Sequence, residues 1–296
     1  MASPKTIPLS SKSDQSTWKV AKSMSSWETE SPQALLPEPA PRGLVPSILK
    51  AARLLEITAS SSEPQSLAQL TRRLDLPKSS VLGICTTLVQ AGFLLRQENG
   101  RYQLGPRVLE LAHSYLANTD FTREFAAAWD TRDVLRGEGV VLAVLDQTDV
   151  VYVAYRNGDQ PLGVNYRIGM RLPAHCSATG KALLSTLSEA QVRDRYGDTP
   201  LSRLTPHSHS SVDSLLTDLE QVRIRGHAID NEETREGMRC YGAPIFDTSG
   251  TRAIAAVAVS TLKLPGVDEK TSQLVAQLKR FADDLSCRLG ARTRSG

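Results

Sequence analysis

Residues 65–104 read QSLAQLTRRLDLPKSSVLGICTTLVQAGFLLRQENGRYQL. Ser66 and Gln69 stand three apart just ahead of an apolar run, the spacing of a capping box, in which each side chain satisfies a backbone N–H that the helix start leaves free. Leu67, Leu70 and Leu74 then recur at helical spacing, and Asp75-Leu76-Pro77 makes a short break. From Ser79 onward, Val81, Ile84, Cys85 and Leu88 fall at i, i+3, i+4 and i+7, which predicts a second amphipathic helix that Gly92 can end from the C′ position. Two helices of about ten residues joined by such a turn follow the helix-turn-helix plan. FLLRQENGRYQL comes next, with strand-like runs around Asn99-Gly100, the pair that favours a two-residue hairpin. Helices followed by a hairpin predict a winged helix-turn-helix.

Upstream, SILKAARLLEITA places Ile48, Ala52, Leu55 and Ala59 on one face of a further helix. Residues 1–43 before it are rich in Ser, Pro, Lys and Thr, carry Trp18 and Trp27, and end in PEPAPRG. Such a composition buries too little apolar area to offset ordering entropy, so a disordered tail is expected. Downstream, Pro106 is preset for a first helical turn, and Val108, Leu111, Ala112 and Tyr115 share a face, with Leu109 and Leu116 off it. A helix apolar on more than one side between two domains calls for another packing partner, and a second subunit is the obvious one. The expected divisions are 1–43 tail, 44–105 winged helix-turn-helix, 106–118 linker helix and 119–292 C-terminal domain.

That last segment reads as α+β. Strands are expected at VVLAVLD and VVYVAYR around Gln147-Thr148-Asp149, near LGVNYRIG, at CYGAPIFD, and at AIAAVAVS after Thr248-Ser249-Gly250. Helices are expected at 120–136, 178–187, 211–225 and 268–289, the last with Leu274, Leu278, Phe281 and Leu285 as core or subunit interface. Hairpin-like strands in succession point to an antiparallel sheet with helices on its faces.

The 296 residues are 40% hydrophobic and 23% charged, ordinary for a globular chain and long enough for about two domains. A net charge of +3 is too small to declare nucleic-acid binding by itself. Its placement says more: residues 44–117 carry eight basic and five acidic side chains, 1–43 five and four, and the remainder 22 and 23. The surplus sits on the helix-turn-helix. No apolar stretch has the length of a membrane span, and the N-terminus has no apolar signal core. Cys85, Cys176, Cys240 and Cys287 are widely spaced with no C-x-x-C pair, which points away from disulfides and zinc knuckles and toward a reducing cytoplasm.

LDLPKSSV, TTLVQAGFL and NGRYQLGPRVLEL, then LPAHCSATGKALLS and EETREGMRCYGAPIFD, resemble in this order the isocitrate lyase regulator (IclR) family of bacterial transcription factors, over about 44–292. The resemblance implies a winged helix-turn-helix that binds double-stranded operator DNA and a linker helix that helps dimerise. It also implies a GAF-like α/β effector domain that binds a small organic molecule, often carboxylate-bearing or aromatic.

A recognition helix sets its N-terminal residues against base edges, while helix ends and basic side chains hold phosphates. That puts Lys78, Ser79, Ser80, Leu82 and Gly83 at the DNA, with Thr86, Thr87 and Gln90 also off the buried face. Lys78 suits phosphate or guanine, and Ser80 any of several bases; Ser79 and Ser80 could equally serve only as helix caps. Gln65 and Ser66 are placed to reach the DNA backbone, and Arg101 on the wing to hold phosphate or enter the minor groove. Family members commonly carry an arginine where Gly83 stands. This helix therefore points to small contacts, to Leu82 on thymine methyls, or to DNA shape.

HCSATGKALLS invites comparison with a phosphate loop and fails it, since His175 stands where that loop needs glycine and Ala182 where it needs Ser or Thr. What is left is a helix start whose free N–H groups suit an anion such as a ligand carboxylate. Ala178 and Thr179 there are small enough to admit a ligand; a plain cap by Ser177 or Thr179 is the alternative. By resemblance Ala178 and Thr179 match pocket positions of the family, as do Asp230, Met238, Cys240, Ala258 and Ser260. Ala258 and Ser260 are two apart and share a strand face. The family has hydroxyls at both, so a less polar pocket and a more hydrophobic or aromatic effector are expected. Cys240 also reads as a small buried hydrophobe.

Other classes compete. A thiol enzyme would take Cys240 as nucleophile and His175 as base, without a G-x-S-x-G elbow or a cysteine signature to support it. A metal site would recruit His207, His209, His227 and Cys176. A small-molecule sensor or scaffold without specific DNA binding is kept open by Gly83. The favoured reading is a cytoplasmic, ligand-responsive transcriptional regulator, a homodimer or dimer of dimers, with no catalytic residue, metal, cofactor or membrane partner.

Overall fold

The structure, a computed structural model, describes residues 44–117, 120–131, 135, 137–157, 166–197, 200–263 and 268–291. The tail 1–43, the last linker position 118, positions 132–134 and 136 of the helix expected at 120–136, and the LGVN part of the strand expected near LGVNYRIG lie outside the described residues. The chain splits into two compact units between Leu104 and Gly105.

The first unit contains α1 (Pro46–Ala59), α2 (Leu67–Leu74), α3 (Lys78–Gln90), β1 (Leu94–Arg96) and β2 (Tyr102–Leu104). The capping box on α2 is formed: Gln69 N–H donates to Ser66 Oγ at 3.3 Å and Ser66 N–H to Gln69 Oε1 at 2.8 Å. At the other end of the motif, Gly92 takes φ +79°, its N–H donates to Val89 O at 3.0 Å, and Phe93 N–H donates to Leu88 O at 2.9 Å. That pair of bonds is a Schellman closure, available because glycine has no Cβ penalty at positive φ. Leu54, Ile57, Leu70, Val81, Cys85, Leu88, Leu94 and Tyr102 form the core. Burial pushes the Cys85 thiol up to about 11, so it behaves as a small hydrophobe.

Two expectations for this unit are corrected. On α1 the buried residues are Leu54, Ile57 and Thr58, while Ile48, Ala52 and Ala59 are exposed; only the C-terminal half of the helix meets the core, and its packing selects the face. The wing turn is not a two-residue one. Gln97 N–H donates to Arg101 O at 2.8 Å and Gly100 N–H to Gln97 O at 2.9 Å, with positive φ at Gly100 and not at Asn99. This is a three-residue connection closed by a left-handed glycine.

The second unit runs α4 (Arg107–Ala117), α5 (Asp120–Thr131), β3 (Val140–Asp146), β4 (Asp149–Arg156), β5 (Arg171–Pro173), α6 (Ala178–Leu184), α7 (Glu189–Tyr196), α8 (Val212–Arg225), β6 (Ala228–Asn231), β7 (Met238–Phe246), β8 (Ala253–Leu262) and α9 (Asp268–Arg288). The strands form one antiparallel sheet in the order β5-β4-β3-β8-β7-β6. Because side chains alternate across a strand, each strand feeds two cores. Val141, Ala143, Tyr152, Cys240, Ala256 and Ala258 meet α6, α7 and α8 on one face. Val140, Leu142, Tyr241, Val257 and Val259 meet α5 and α9 on the other, where Leu278, Phe281 and Leu285 are core and Phe125 packs edge-on to Phe281 at 5.8 Å.

Tyr166–Gly169 is not strand; the edge strand is β5, at Arg171–Pro173. Strand β6 and helix α7 were not foreseen. The eight residues of α7, EAQVRDRY, bury only Val192 and Tyr196, too few for a readable period, although Ser188 and Gln191 form a capping box.

Candidate functional site

On the first unit, α3 begins at Lys78, and Pro77 at the N-cap gives no side-chain cap. Ser79 and Ser80 therefore lie inside the first turn, exposed, and do not hold the cap. Leu82 is 43% exposed, and a Cβ on Gly83 would meet nothing within 4 Å. Thr86 and Thr87 donate their hydroxyl hydrogens to Leu82 O at 2.9 Å and Gly83 O at 3.0 Å. Gln65 is buried: its backbone exchanges two 2.8 Å hydrogen bonds with Tyr102, and its amide donates to Glu63 O at 2.8 Å. Ser66 is occupied with its capping box. Arg101 is half-buried and donates to Pro64 O at 3.0 Å, tying the wing to the segment before α2, while Arg96 sits over the Tyr102 ring at 5.9 Å.

On the second unit, Ala178, Thr179, Asp230, Met238, Cys240, Ala258 and Ser260 are all buried. Register explains how they meet. Asp230 pairs with Cys240 across β6 and β7, and Cys240 with Ser260 across β7 and β8, so three positions 10 and 20 residues apart form one row. The Cys240 sulfur is 3.2 Å from Ser260 Oγ, which also accepts the Tyr166 hydroxyl. Tyr166 packs edge-on to Tyr152 at 5.8 Å. Thr179 Oγ1 lies buried close to the Tyr152 hydroxyl and makes no well-formed hydrogen bond. At the start of α6, Ser177 is the cap, accepting from Gly180 N–H at 3.1 Å, and α6 itself is only seven residues long.

Burial of this row disfavours the charged forms of its own side chains. Burial pushes Tyr152, Tyr166, Cys240 and Asp230 upward, although Asp230 is opposed by bonds from Thr234 and Glu233. Asp230 Oδ1 accepts from Glu233 N–H at 2.7 Å and Thr234 N–H at 3.2 Å, and Oδ2 accepts the Thr234 hydroxyl, so the carboxylate organises its own turn. Lys181 is fully buried, with Nζ 2.7 Å from Asp218 Oδ2 and 2.5 Å from Glu233 Oε1. Its ammonium is committed to these two carboxylates. Tyr152, Tyr166, Lys181 and Glu233 were missed as candidates; for Lys181 a signal existed, since GKALL is otherwise small or apolar on every side of the helix.

A family model for the bacterial transcriptional regulator IclR C-terminal domain matches residues 113–287, and one for the IclR helix-turn-helix domain matches 47–98. The chain belongs to the IclR family of transcriptional regulators. It is thus an IclR-type regulator with a helix-turn-helix DNA-binding domain followed by a C-terminal effector domain. The HTH-type transcriptional regulator XynR of Escherichia coli (strain K12) is 30% identical over 249 residues, 83% of this chain and 98% of its own length. The crystal structure of the Agobacterium tumefaciens repressor BlcR is 38% identical, covering 84% and 99% of the two chains, at TM-score 0.55. An IclR homolog complexed with 4-hydroxybenzoate, from Microbacterium hydrocarbonoxydans, shares the fold at 22% identity and TM-score 0.67, over 82% and 98%.

Within this IclR-type chain the competing chemistries find little geometric support. His175 Nε2 bonds the Ser202 carbonyl at 2.7 Å, and the Cys240 thiol lies beside the Ser260 hydroxyl and the Asp230 carboxyl. Burial raises that thiol well above its ordinary value, which works against a thiolate nucleophile. Of the histidines considered for a metal, His209 joins Asp218 and Glu233, with ligand atoms within 4.8 Å of one another. The Lys181 ammonium already sits on both carboxylates. Among the described residues, no helix is long and apolar enough to cross a membrane.

Proposed function

We propose that this IclR-type regulator binds operator DNA through 44–105 as a homodimer or dimer of dimers in the cytoplasm, and that a small organic acid or aromatic metabolite bound in 119–292 changes that binding. The DNA contacts are assigned to Lys78, Ser79, Ser80, Leu82 and Gly83 of α3, with Arg101 and the Gln65-Ser66 corner supporting the wing and α2. The effector contacts are assigned to Thr179, Met238, Cys240, Ala258 and Ser260, with Ala178 and Asp230 shaping the walls. The linker helix 106–118 is the mechanical connection, and an effector shifts DNA affinity only by its differential affinity for two arrangements of the chain.

One observation carries the effector reading: the Asp230–Cys240–Ser260 row gathers buried hydroxyl, thiol and carboxyl groups beside Thr179, whose hydroxyl has no well-formed partner. Buried polar groups are ordinarily satisfied, and one left open marks a place where a ligand atom can bond. The 4-hydroxybenzoate held by the Microbacterium homolog is in keeping with an aromatic ligand. The test is fluorescence anisotropy with a footprinted duplex from the regulator's own promoter, titrated with metabolites of the flanking genes. A ligand-dependent change in Kd is expected, and Ser260→Ala should lose it while binding DNA normally without ligand. A Kd indifferent to every ligand that raises Tm would overturn the reading.

A further inference from the structure

We infer that α3 reads thymine, through Leu82 and the methyl groups of Thr86 and Thr87, and that Gly83 is a notch that lets the helix backbone close on the bases. This rests on α3 being the DNA-reading element of an IclR-type regulator. Ser79, Leu82, Gly83, Thr86, Thr87 and Gln90 are all exposed and recur three or four apart, opposite the buried Val81, Cys85 and Leu88. They form one outward stripe.

Glycine inside a helix destabilises it relative to alanine. A protein accepts this where packing forbids a Cβ, but at Gly83 the space a Cβ would take is empty to 4 Å. The fold does not require glycine here. The room it leaves opens outward on the helix surface, between Ser79 and Ser80 one turn before and Thr86 and Thr87 one turn after, so what uses it comes from outside the chain. Leu82, at 43% exposure, leaves a large apolar side chain in water beside that notch.

The threonines complete the chemistry. Their hydroxyl hydrogens are given to Leu82 O and Gly83 O, so each offers a methyl group and a spare acceptor and no free donor. No guanidinium stands on the stripe to grip guanine O6 and N7, and Lys78 in the first turn is the helix's sole cation. The apolar feature of the major groove is the C5-methyl of thymine. A leucine and two threonine methyls flanking a notch are its complement.

The probe is a duplex selected by the full-length protein from a random library, then synthesised with deoxyuridine for each thymine of the protected half-sites, which removes only the methyl. Each contacted thymine should cost about fourfold in Kd, the worth of one buried methyl group, and Leu82→Ala should abolish the penalty at one position. Gly83→Ala should weaken binding to the thymine duplex about tenfold or more without lowering Tm, since the added methyl clashes with nothing in the protein. Deoxyuridine duplexes bound as tightly as thymine ones, or Gly83→Ala bound as tightly as wild type, would overturn the inference. Failure to select any duplex would instead overturn the DNA-reading assignment beneath it.

Discussion

The Cβ that Gly242 lacks would lie 2.3 Å from the carbonyl oxygen of Ala178. Strand β7 and the first turn of α6 therefore touch backbone to backbone, and Gly180 repeats the device on the helix side, where a Cβ would lie 2.2 Å from Ala174 O. The helix start beside the proposed effector site is thus seated on the sheet by the absence of a side chain at Gly242, and on the Ala174 segment that precedes it by the absence of one at Gly180.

Gly242→Ala should accordingly destabilise the protein by about 1–3 kcal/mol, because the added methyl meets backbone that cannot rotate away. Urea denaturation measures this, and ligand-induced Tm shifts should fall with it as α6 lifts. The same substitution at Gly83 has the opposite setting, open space, and should leave stability unchanged or raised.

Lys181→Met should destabilise by about 3–5 kcal/mol, the usual result of stranding a buried charge. Glu233, already raised by burial against the pull of Lys181, loses its closest cation, whereas Asp218 keeps Arg225 at 3.1 Å. Adding Glu233→Leu to Lys181→Met should recover a large part of the loss in a double-mutant cycle. Strict additivity of the two substitutions would refute coupling through this pair.

Burial pulls the His175 imidazole below its ordinary 6.5, with the hydrogen bond to Ser202 O opposing. An unfolded chain then binds the proton more readily, so the contribution to stability is full above pH 6.5 and is lost as pH falls through the folded value. The urea midpoint should drop from about pH 7.5 to about pH 5.5, and His175→Gln should flatten part of that drop; His227, lowered for the same reason, acts in the same direction, while Glu233 and Asp230, raised by burial, oppose it. An identical slope in the variant would exclude His175.

Ala258 leaves Ser260 as the hydroxyl on its strand face, with the two tyrosine rings beside it. Thermal shifts should be larger with aromatic acids such as a hydroxybenzoate than with small keto acids at equal concentration. The reverse order would show that the site is built for small polar ligands.

Lys78→Ala should weaken DNA binding evenly across sequences and reduce the slope of log K against log salt by about one, as expected for one phosphate contact. A change confined to particular base pairs would make Lys78 a base reader.

Much of the fold was legible because the deciding signals are local. Ser66 and Gln69 are partners three residues apart, and Gly92 closes α3 with carbonyls a few residues back; their chemistry is complete within about one turn of chain. The apolar runs of β3, β4, β7 and β8 likewise showed through, since a strand buried on both faces reads as a nearly continuous apolar stretch. Where packing rather than local chemistry chose, the reading slipped: α1 offered apolar residues on more than one face, and only contact with α2 and α3 selected Leu54 and Ile57 over Ile48. Asn99-Gly100 allowed a tight turn, but the register of Arg96 with Tyr102 spaced it into a longer one.

The candidate site divides along the same line. Residue types on α3, its neutral exposed stripe and its glycine are properties of a helix seen from its own sequence, so the face proposed to read DNA was visible before any fold. The proposed effector site is not a local object. Strand register brings Asp230, Cys240 and Ser260 side by side, Tyr166 reaches Ser260 from 94 residues away, and Lys181 finds Glu233 across 52. Such partners are chosen by the free energy of burying groups together, which a one-dimensional pattern does not contain.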